Sequence, residues 1–247
     1  MQSAKSGPVD LPRLLTLAEN GDLAGALGAL PNPPGRAHRV GITGPPGAGK
    51  STLTGALIRH WRDQGKTVAV VAVDPSSPRT GGALLGDRIR MESVALDPGV
   101  FIRSMATRGA LGGLARGTRA VSDVLDAAGY DIVIVETVGV GQTELDVVSA
   151  TDTTVLVLVP ESGDGIQALK SGLMEVADVF AVNKSDRPAA ERMVGEIRTA
   201  IKLTAHADGA WMPPVVATIA TSGSGIEELA REIERHRGVR RASAQAQ

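Results

Sequence analysis

"RVGITGPPGAGKST", residues 39–52, decides the fold. Its first five residues read as a short strand, and Gly44 to Ser51 fit the pattern G-x-x-x-x-G-K-[ST]. Glycines let the backbone curl so that successive N–H groups converge on one anion. A helix that begins at once adds the positive end of its dipole. In that arrangement Lys50 bridges the β- and γ-phosphates of a nucleotide, the Ser51 hydroxyl ligates Mg2+, and Gly47, Ala48, Gly49 and Thr52 complete the phosphate cradle. A plain glycine turn is the competing reading, and it accounts for neither the strand before the motif nor the helix after it.

Outward from this loop, short β-rich runs recur: "TVAVVAVD" (67–74), "GVFIRSM" (99–105), "DIVIVET" (131–137), "TTVLVLVP" (153–160), "DVFAVNK" (178–184) and "PVVATIA" (214–220). Several are apolar throughout, as strands covered on both faces must be. Strand and helix alternate, which predicts an α/β fold of the P-loop NTPase class, a mostly parallel central sheet with helices on both faces. Leu53, Ala56, Leu57, His60 and Trp61 recur at helical spacing, so His60 and Trp61 are expected on a packing face, with Gly65 closing that helix in a left-handed cap. Leu14, Leu15 and Ala18, then "NGD", then Leu23, Ala26, Leu27 and Leu30 predict two short helices. The domain reading is a helical appendage and linker over 1–37, a nucleotide-binding domain over 38–238, and a disordered, solvated tail over 239–247.

A chain of 247 residues suits one domain. Its 26 basic and 27 acidic residues leave a net charge of −1, so no global field favours nucleic acid or an anionic membrane. There is no cysteine, which excludes disulfides and thiolate metal sites, and the four histidines are scattered. The chain shows no signal-peptide h-region and no membrane-length apolar run, so a cytoplasmic location is expected.

"NKSD" (183–186) ends an apolar run. An aspartate at 186 can accept from both N1–H and the exocyclic amine of guanine, a pair that adenine does not offer, while Asn183 and the Lys184 stem brace the ring. Such a four-residue match is also compatible with a turn, but beside a phosphate loop it favours GTP over ATP. "ETVGVGQ" places Glu136 where NTPases usually hold a metal-bound aspartate and lets Gly139 offer its N–H to a γ-phosphate. In "DPSSPRTGGALLGDR" (74–88), Asp74 and Asp87 can converge on the same ion, making the stretch a nucleotide-sensitive segment. The alternative is that Asp74 caps a turn and Asp87 starts a helix. In "PESGDGIQALKSG", Asp164, Gln167 and Lys170 share a face if the segment is helical, as either a polar contact surface or a solvated helix start. "RGALGGLARGTR" (108–119) is equally open, and Gln142 reads either as a water-positioning residue or as a cap.

Taken together, "GITGPPGAGKST", "VAVDPSSPRTGGALLGDRIRM", "FIRSMATRGALGGLARGTR", "VETVGVGQTELDV", "SGDGIQALKSGLMEVADVFAVNKSD" and "WMPPVV...SGSGIEEL" resemble the MeaB/ArgK-type P-loop GTPases, chaperones of adenosylcobalamin-dependent acyl-CoA mutases such as methylmalonyl-CoA mutase. The resemblance covers roughly residues 11 to 235. It implies Mg2+ contacts from Ser51, Asp74, Asp87 and Glu136, guanine contacts from Asn183, Lys184 and Asp186, and a switch containing Asp164, Gln167 and Lys170. It also implies a homodimer, a mutase client, and an adenosyltransferase as the source of cofactor. Two positions depart from the family pattern: "TIAT" carries Ile219 and Ala220 where a Ser-Ala pair is common, with Ala220 still able to offer its N–H to the guanine carbonyl, and Glu161 replaces a glycine.

The expected reaction is conversion of GTP and water to GDP and phosphate, slow alone and stimulated by a partner. Lys50, Asp74 and Glu136 form its catalytic set. A nucleotide switch with negligible hydrolysis and a P-loop kinase remain alternatives.

Overall fold

Strand β2 (Val68–Asp74) is apolar up to its last residue, yet its side chains still divide by parity: Val68 and Val70 join one hydrophobic cluster, and Ala69, Val71 and Val73 join another. Successive strand residues point to opposite faces, so a run without polar residues is what a strand buried on both sides requires. The computed structural model describes residues 10–74, 91–106, 113–137, 150–160, 173–203 and 210–245.

Within those residues seven strands form one sheet in the order β3-β2-β4-β1-β5-β6-β7, every neighbouring pair parallel. The others are β1 (His38–Thr43), β3 (Val100–Ala106), β4 (Ile132–Thr137), β5 (Thr153–Leu158), β6 (Val179–Asn183) and β7 (Val215–Thr218). The chain leaves β1 for β2 and β3, returns to insert β4 between β2 and β1, and then builds β5 on the far side of β1. That reversal beside β1 makes a crevice at the carboxyl ends of the strands, the usual ligand position in open α/β sheets.

The helices are α1 (Leu11–Glu19), α2 (Leu23–Gly28), α3 (Lys50–Asp63), α4 (Glu92–Ala95), α5 (Gly113–Ala127), α6 (Leu173–Val176), α7 (Ala190–Leu203) and α8 (Ile226–Gln245). Helices α3 and α8 cover one face: Leu53, Leu57, Ile58, Trp61, Leu229 and Ile233 pack on Val40, Ile42, Ile134 and Val157. On the other face, Ile197 and Ile201 of α7 pack on Leu156, Leu158, Phe180 and Val182. Helix α3 ends as its sequence predicts, in a Schellman motif. Gly65 has φ +78°, its N–H donates to the Arg62 carbonyl at 2.8 Å, and the Lys66 N–H donates to the Trp61 carbonyl at 3.0 Å.

Two features concern the ends of the chain. The N-terminal helices pack on the sheet: Leu14, Leu15, Ala18 and Ala26 share a single cluster with Val71, Val133 and Val135 of the sheet and with Val121, Val124 and Leu125 of α5. They cover a sheet face that would otherwise meet water. Residues 239–245, expected as a disordered tail, continue α8, and Arg240 and Arg241 bond back to the domain. Among the described residues no helix is long and apolar enough to cross a membrane.

Candidate nucleotide site

The loop after β1 holds its shape through backbone that only glycine adopts easily. Gly44, Gly47 and Gly49 have φ of +137°, +77° and +86°. A Cβ on Gly44 would lie 2.1 Å from the Val157 carbonyl oxygen, and one on Gly49 would lie 2.5 Å from Asn183 Nδ2. Gly49 is the N-cap of α3 and supplies no capping side chain, so acceptors for the first-turn N–H groups must come from elsewhere, the arrangement that suits an anion. Lys50 is 7% exposed, and its ammonium donates to the carbonyls of Gly44 at 2.8 Å and Pro45 at 3.1 Å. It therefore lies folded along the loop it serves.

Glu136, the penultimate residue of β4, lies next to β1, paired in register with Ile42 and with Ala72 of β2. Its carboxylate is buried and accepts from the Ser51 hydroxyl at Oε1 and the Thr54 hydroxyl at Oε2, each at 2.6 Å. Two short bonds to a carboxylate fix its orientation. Thr54 is a site residue that the sequence reading missed. It lies one turn beyond Lys50 and is fully buried, and its only sequence signal is a hydroxyl among Leu53, Ala56 and Leu57 on a packed helix face. Beside it, Thr137 Oγ1 donates to Thr43 Oγ1 at 3.2 Å, linking the ends of β4 and β1. Ser51 Oγ and the Glu136 carboxylate are hard oxygen donors of the type that Mg2+ takes, so the donor set fits that ion.

The base loop is bonded directly to the phosphate loop. Asn183 Nδ2 donates to the Ala48 carbonyl at 2.9 Å, and Lys184 Nζ donates to the Gly47 carbonyl at 2.9 Å. Asn183 Oδ1 accepts from the Ala220 N–H at 3.1 Å and the Thr218 hydroxyl at 3.4 Å. Asn183 is 2% exposed, so its amide serves as a tie between three loops. The Ala220 N–H, expected on a guanine carbonyl, here donates to that amide. Lys184 has φ +57°, the one left-handed non-glycine among the described residues, and such strain persists where surroundings over-determine it. Asp186 is exposed two residues further on, on the turn after β6.

The structure thus gathers Gly47, Ala48, Gly49, Lys50, Ser51, Thr52, Glu136, Asn183, Lys184, Asp186 and Ala220 at the carboxyl end of the sheet. Asp74 ends β2 at the same end, its backbone paired with Ala106. The Asp74 side chain and the whole of Asp87, Gly139, Gln142, Glu161, Asp164, Gln167 and Lys170 lie outside the described residues.

Comparison with known proteins agrees with this geometry. The family model described as "Methylmalonyl Co-A mutase-associated GTPase MeaB" matches residues 11–247. A putative GTPase of Pyrococcus abyssi is 53% identical over 229 residues, covering 91% of this chain and 71% of the relative. The mouse protein called "Methylmalonic aciduria type A homolog, mitochondrial" is 43% identical, with 77% of this chain and 47% of that one aligned. Among solved structures, one described as a "LAO/AO transport system kinase" superposes with a TM-score of 0.76 at 31% identity, over 94% of this chain and 72% of that chain. The chain is a P-loop GTPase and belongs to the MeaB family.

Proposed function

We propose that this GTPase serves as a nucleotide-gated chaperone of an adenosylcobalamin-dependent acyl-CoA mutase, using hydrolysis to time cofactor delivery and protection rather than to supply product. The observation that carries the gating is the direct tie between base loop and phosphate loop, Asn183 to Ala48 and Lys184 to Gly47. A guanine held at Asp186 and phosphates held at residues 47–52 would report to each other through two hydrogen bonds. The mutase client rests on the family's description and on the mouse relative's name.

In the reaction, water attacks the γ-phosphorus of GTP and the bond to the β-phosphate oxygen breaks, giving GDP and phosphate. Lys50 and the N–H groups of the loop stabilise the charge that gathers on the phosphoryl oxygens. Ser51 and Glu136, with Asp74 and Asp87, would hold Mg2+, which when bound supplies charge neutralisation between the phosphates. Thr54 keeps the Glu136 carboxylate aimed toward Ser51. Gly139 would meet the γ-phosphate, and Asp164, Gln167 and Lys170 would pass the nucleotide state to a partner.

The test is phosphate release from GTP by the chain alone and with each cobalamin-dependent acyl-CoA mutase of the same organism, beside Asp186→Asn. Slow release alone and a rise of about 10-fold or more with one mutase are expected, since elements supplied in trans contribute up to ~10⁵ in related NTPases. Asp186→Asn should shift preference from GTP toward XTP. A phosphorylated small-molecule product would establish the kinase alternative, absence of turnover under every condition would leave only a binding switch, and indifference to every mutase would remove the client.

A further inference from the structure

The arginines near the end of α8 face the amino end of the sheet, opposite the nucleotide loops, and they line a basin there. One cavity of about 340 Å³ is bordered by Arg39, Asp126, Asp152, Arg237, Arg240 and Arg241, and an adjoining cavity of about 420 Å³ adds Arg36, Tyr130 and Asp131. With Asp123, which pairs with Arg39, five guanidiniums therefore meet four carboxylates.

The carboxylates are already committed. Asp126 accepts the successive N–H groups of Gly35, Arg36 and Ala37 at 2.6, 3.0 and 2.9 Å, and also Arg39 Nη2 at 3.2 Å. Burial works against its charge, but those donors hold its pKa below the ordinary carboxylate value. Asp152 accepts the Arg39 N–H at 2.9 Å, and Asp131 accepts the N–H and hydroxyl of Thr67. Arg39 itself is paired with Asp123 and Asp126.

The three α8 arginines are differently placed. Arg237 and Arg241 donate to the Arg36 carbonyl, and Arg240 donates to the Asp152 carbonyl at 2.6 Å. These acceptors are neutral, and among the described residues no carboxylate closes a salt bridge to any of the three. Burial, then the neighbouring Arg241, push the pKa of Arg237 down, while Asp152, Asp126 and Glu234 act the other way. Guanidinium forks match the oxygens of phosphate in pairs, and a small concave site with three arginines bonded only to neutral carbonyls suits an anion.

We propose that this basin binds a phosphate group, as inorganic phosphate or as the monoester end of a small metabolite, on Arg237, Arg240 and Arg241. The site is separate from the nucleotide site, and its occupancy would staple α8 to the segment that leads into β1.

The test is calorimetric titration of the full chain with GDP and Mg2+ at saturation, so that the nucleotide loop is filled, using inorganic phosphate in one arm and glycerol 3-phosphate in the other. One saturable site at millimolar affinity or better is expected, with the tighter arm naming the source. The double variant Arg237→Gln, Arg241→Gln should weaken binding by about 10-fold or more, one decade per ~1.4 kcal/mol lost. If the double variant fails to fold, Arg241→Gln alone, whose bond to the Arg36 carbonyl is long at 3.3 Å, should still weaken it measurably. Arg192→Gln, exposed on α7 and paired with Glu196, should change nothing. The proposal is overturned by an absence of saturable heat in both arms, by undiminished binding in a folded arginine variant, or by binding of a glutamate-rich peptide but neither phosphate compound.

Discussion

The two ends of the sheet carry buried polar groups of opposite character. At the carboxyl end, Lys50, Ser51, Thr54, Glu136 and Asn183 are charged or multivalent, tied through positive-φ backbone and through bonds between loops that a nucleotide could take over. At the amino end, His38, Thr153, His236 and Asp178 form a chain whose buried rings are uncharged. His38 Nε2 lies 2.8 Å from Thr153 Oγ1, which lies 2.8 Å from His236 Nδ1, and His236 Nε2 lies 3.2 Å from Asp178 Oδ1. Burial, reinforced by Arg237, pushes His38 down to about 3, and burial with Arg240 pushes His236 down to about 4. Both rings are then neutral at pH 7, so the 3.2 Å approach of His236 to Asp178 is not an ion pair. The Thr153 hydroxyl can donate to one ring and accept from the other, and the Asp178 carboxylate accepts the Thr154 N–H at 2.8 Å. The carboxyl-end cluster holds charge for exchange, whereas this ring chain, beside the ionised Asp126 and Arg39 of its own end, joins β1 and β5 to α8 without charge.

The largest effect that tests this contrast is at Gly44. Alanine there would meet the Val157 carbonyl at 2.1 Å in a φ region hostile to side chains, and both β1 and β5 would have to shift. Gly44→Ala should lose on the order of 3 kcal/mol in urea denaturation and most of its affinity for GDP. A stable variant with normal GDP affinity would show that the carboxyl end does not depend on close backbone approach.

Thr54→Val comes next. It preserves shape and removes one donor from a buried carboxylate, a loss of about 1.5 to 3 kcal/mol for a bond to a charged group. Because Glu136 is placed beside Ser51, GTP turnover should fall more than GDP affinity. Equal loss in both, or none, would make Thr54 a packing residue only.

What the sequence disclosed follows the same division. The loop at 44–51 and the turn at 183–186 are contiguous, so their chemistry is written at fixed spacing, and the apolar runs announce strands covered on both faces. Thr54 depends on a partner 82 residues away, and His38 and His236 each meet Thr153 across 115 and 83 residues. No local spacing encodes such meetings. The N-terminal helices were legible as helices from Leu14, Leu15 and Ala18, but their apolar stripe does not say which surface it covers. Only the strand order, with β2 and β4 adjacent, supplies the face they bury. The arginines of α8 looked solvated because a charged run carries no mark of the carbonyls that receive it.

The remaining test lies in acid. The histidine pKa values in the fold, about 3 and about 4, are below the 6.5 of an exposed ring, so the unfolded chain binds protons that the folded chain refuses. Stability from this source is therefore whole above pH 6.5 and declines as pH falls from there toward 4. Each ring contributes a slope of up to about 1.4 kcal/mol per pH unit across the part of that window above its folded pKa. His236→Gln retains an amide that can both donate and accept, and removes one titrating ring. Its unfolding free energy, followed between pH 7 and pH 4.5, should decline less steeply than that of the parent, by about one ring's slope. If the two slopes coincide, the amino end is not held by neutral histidines, and the contrast with the carboxyl end loses its electrostatic basis.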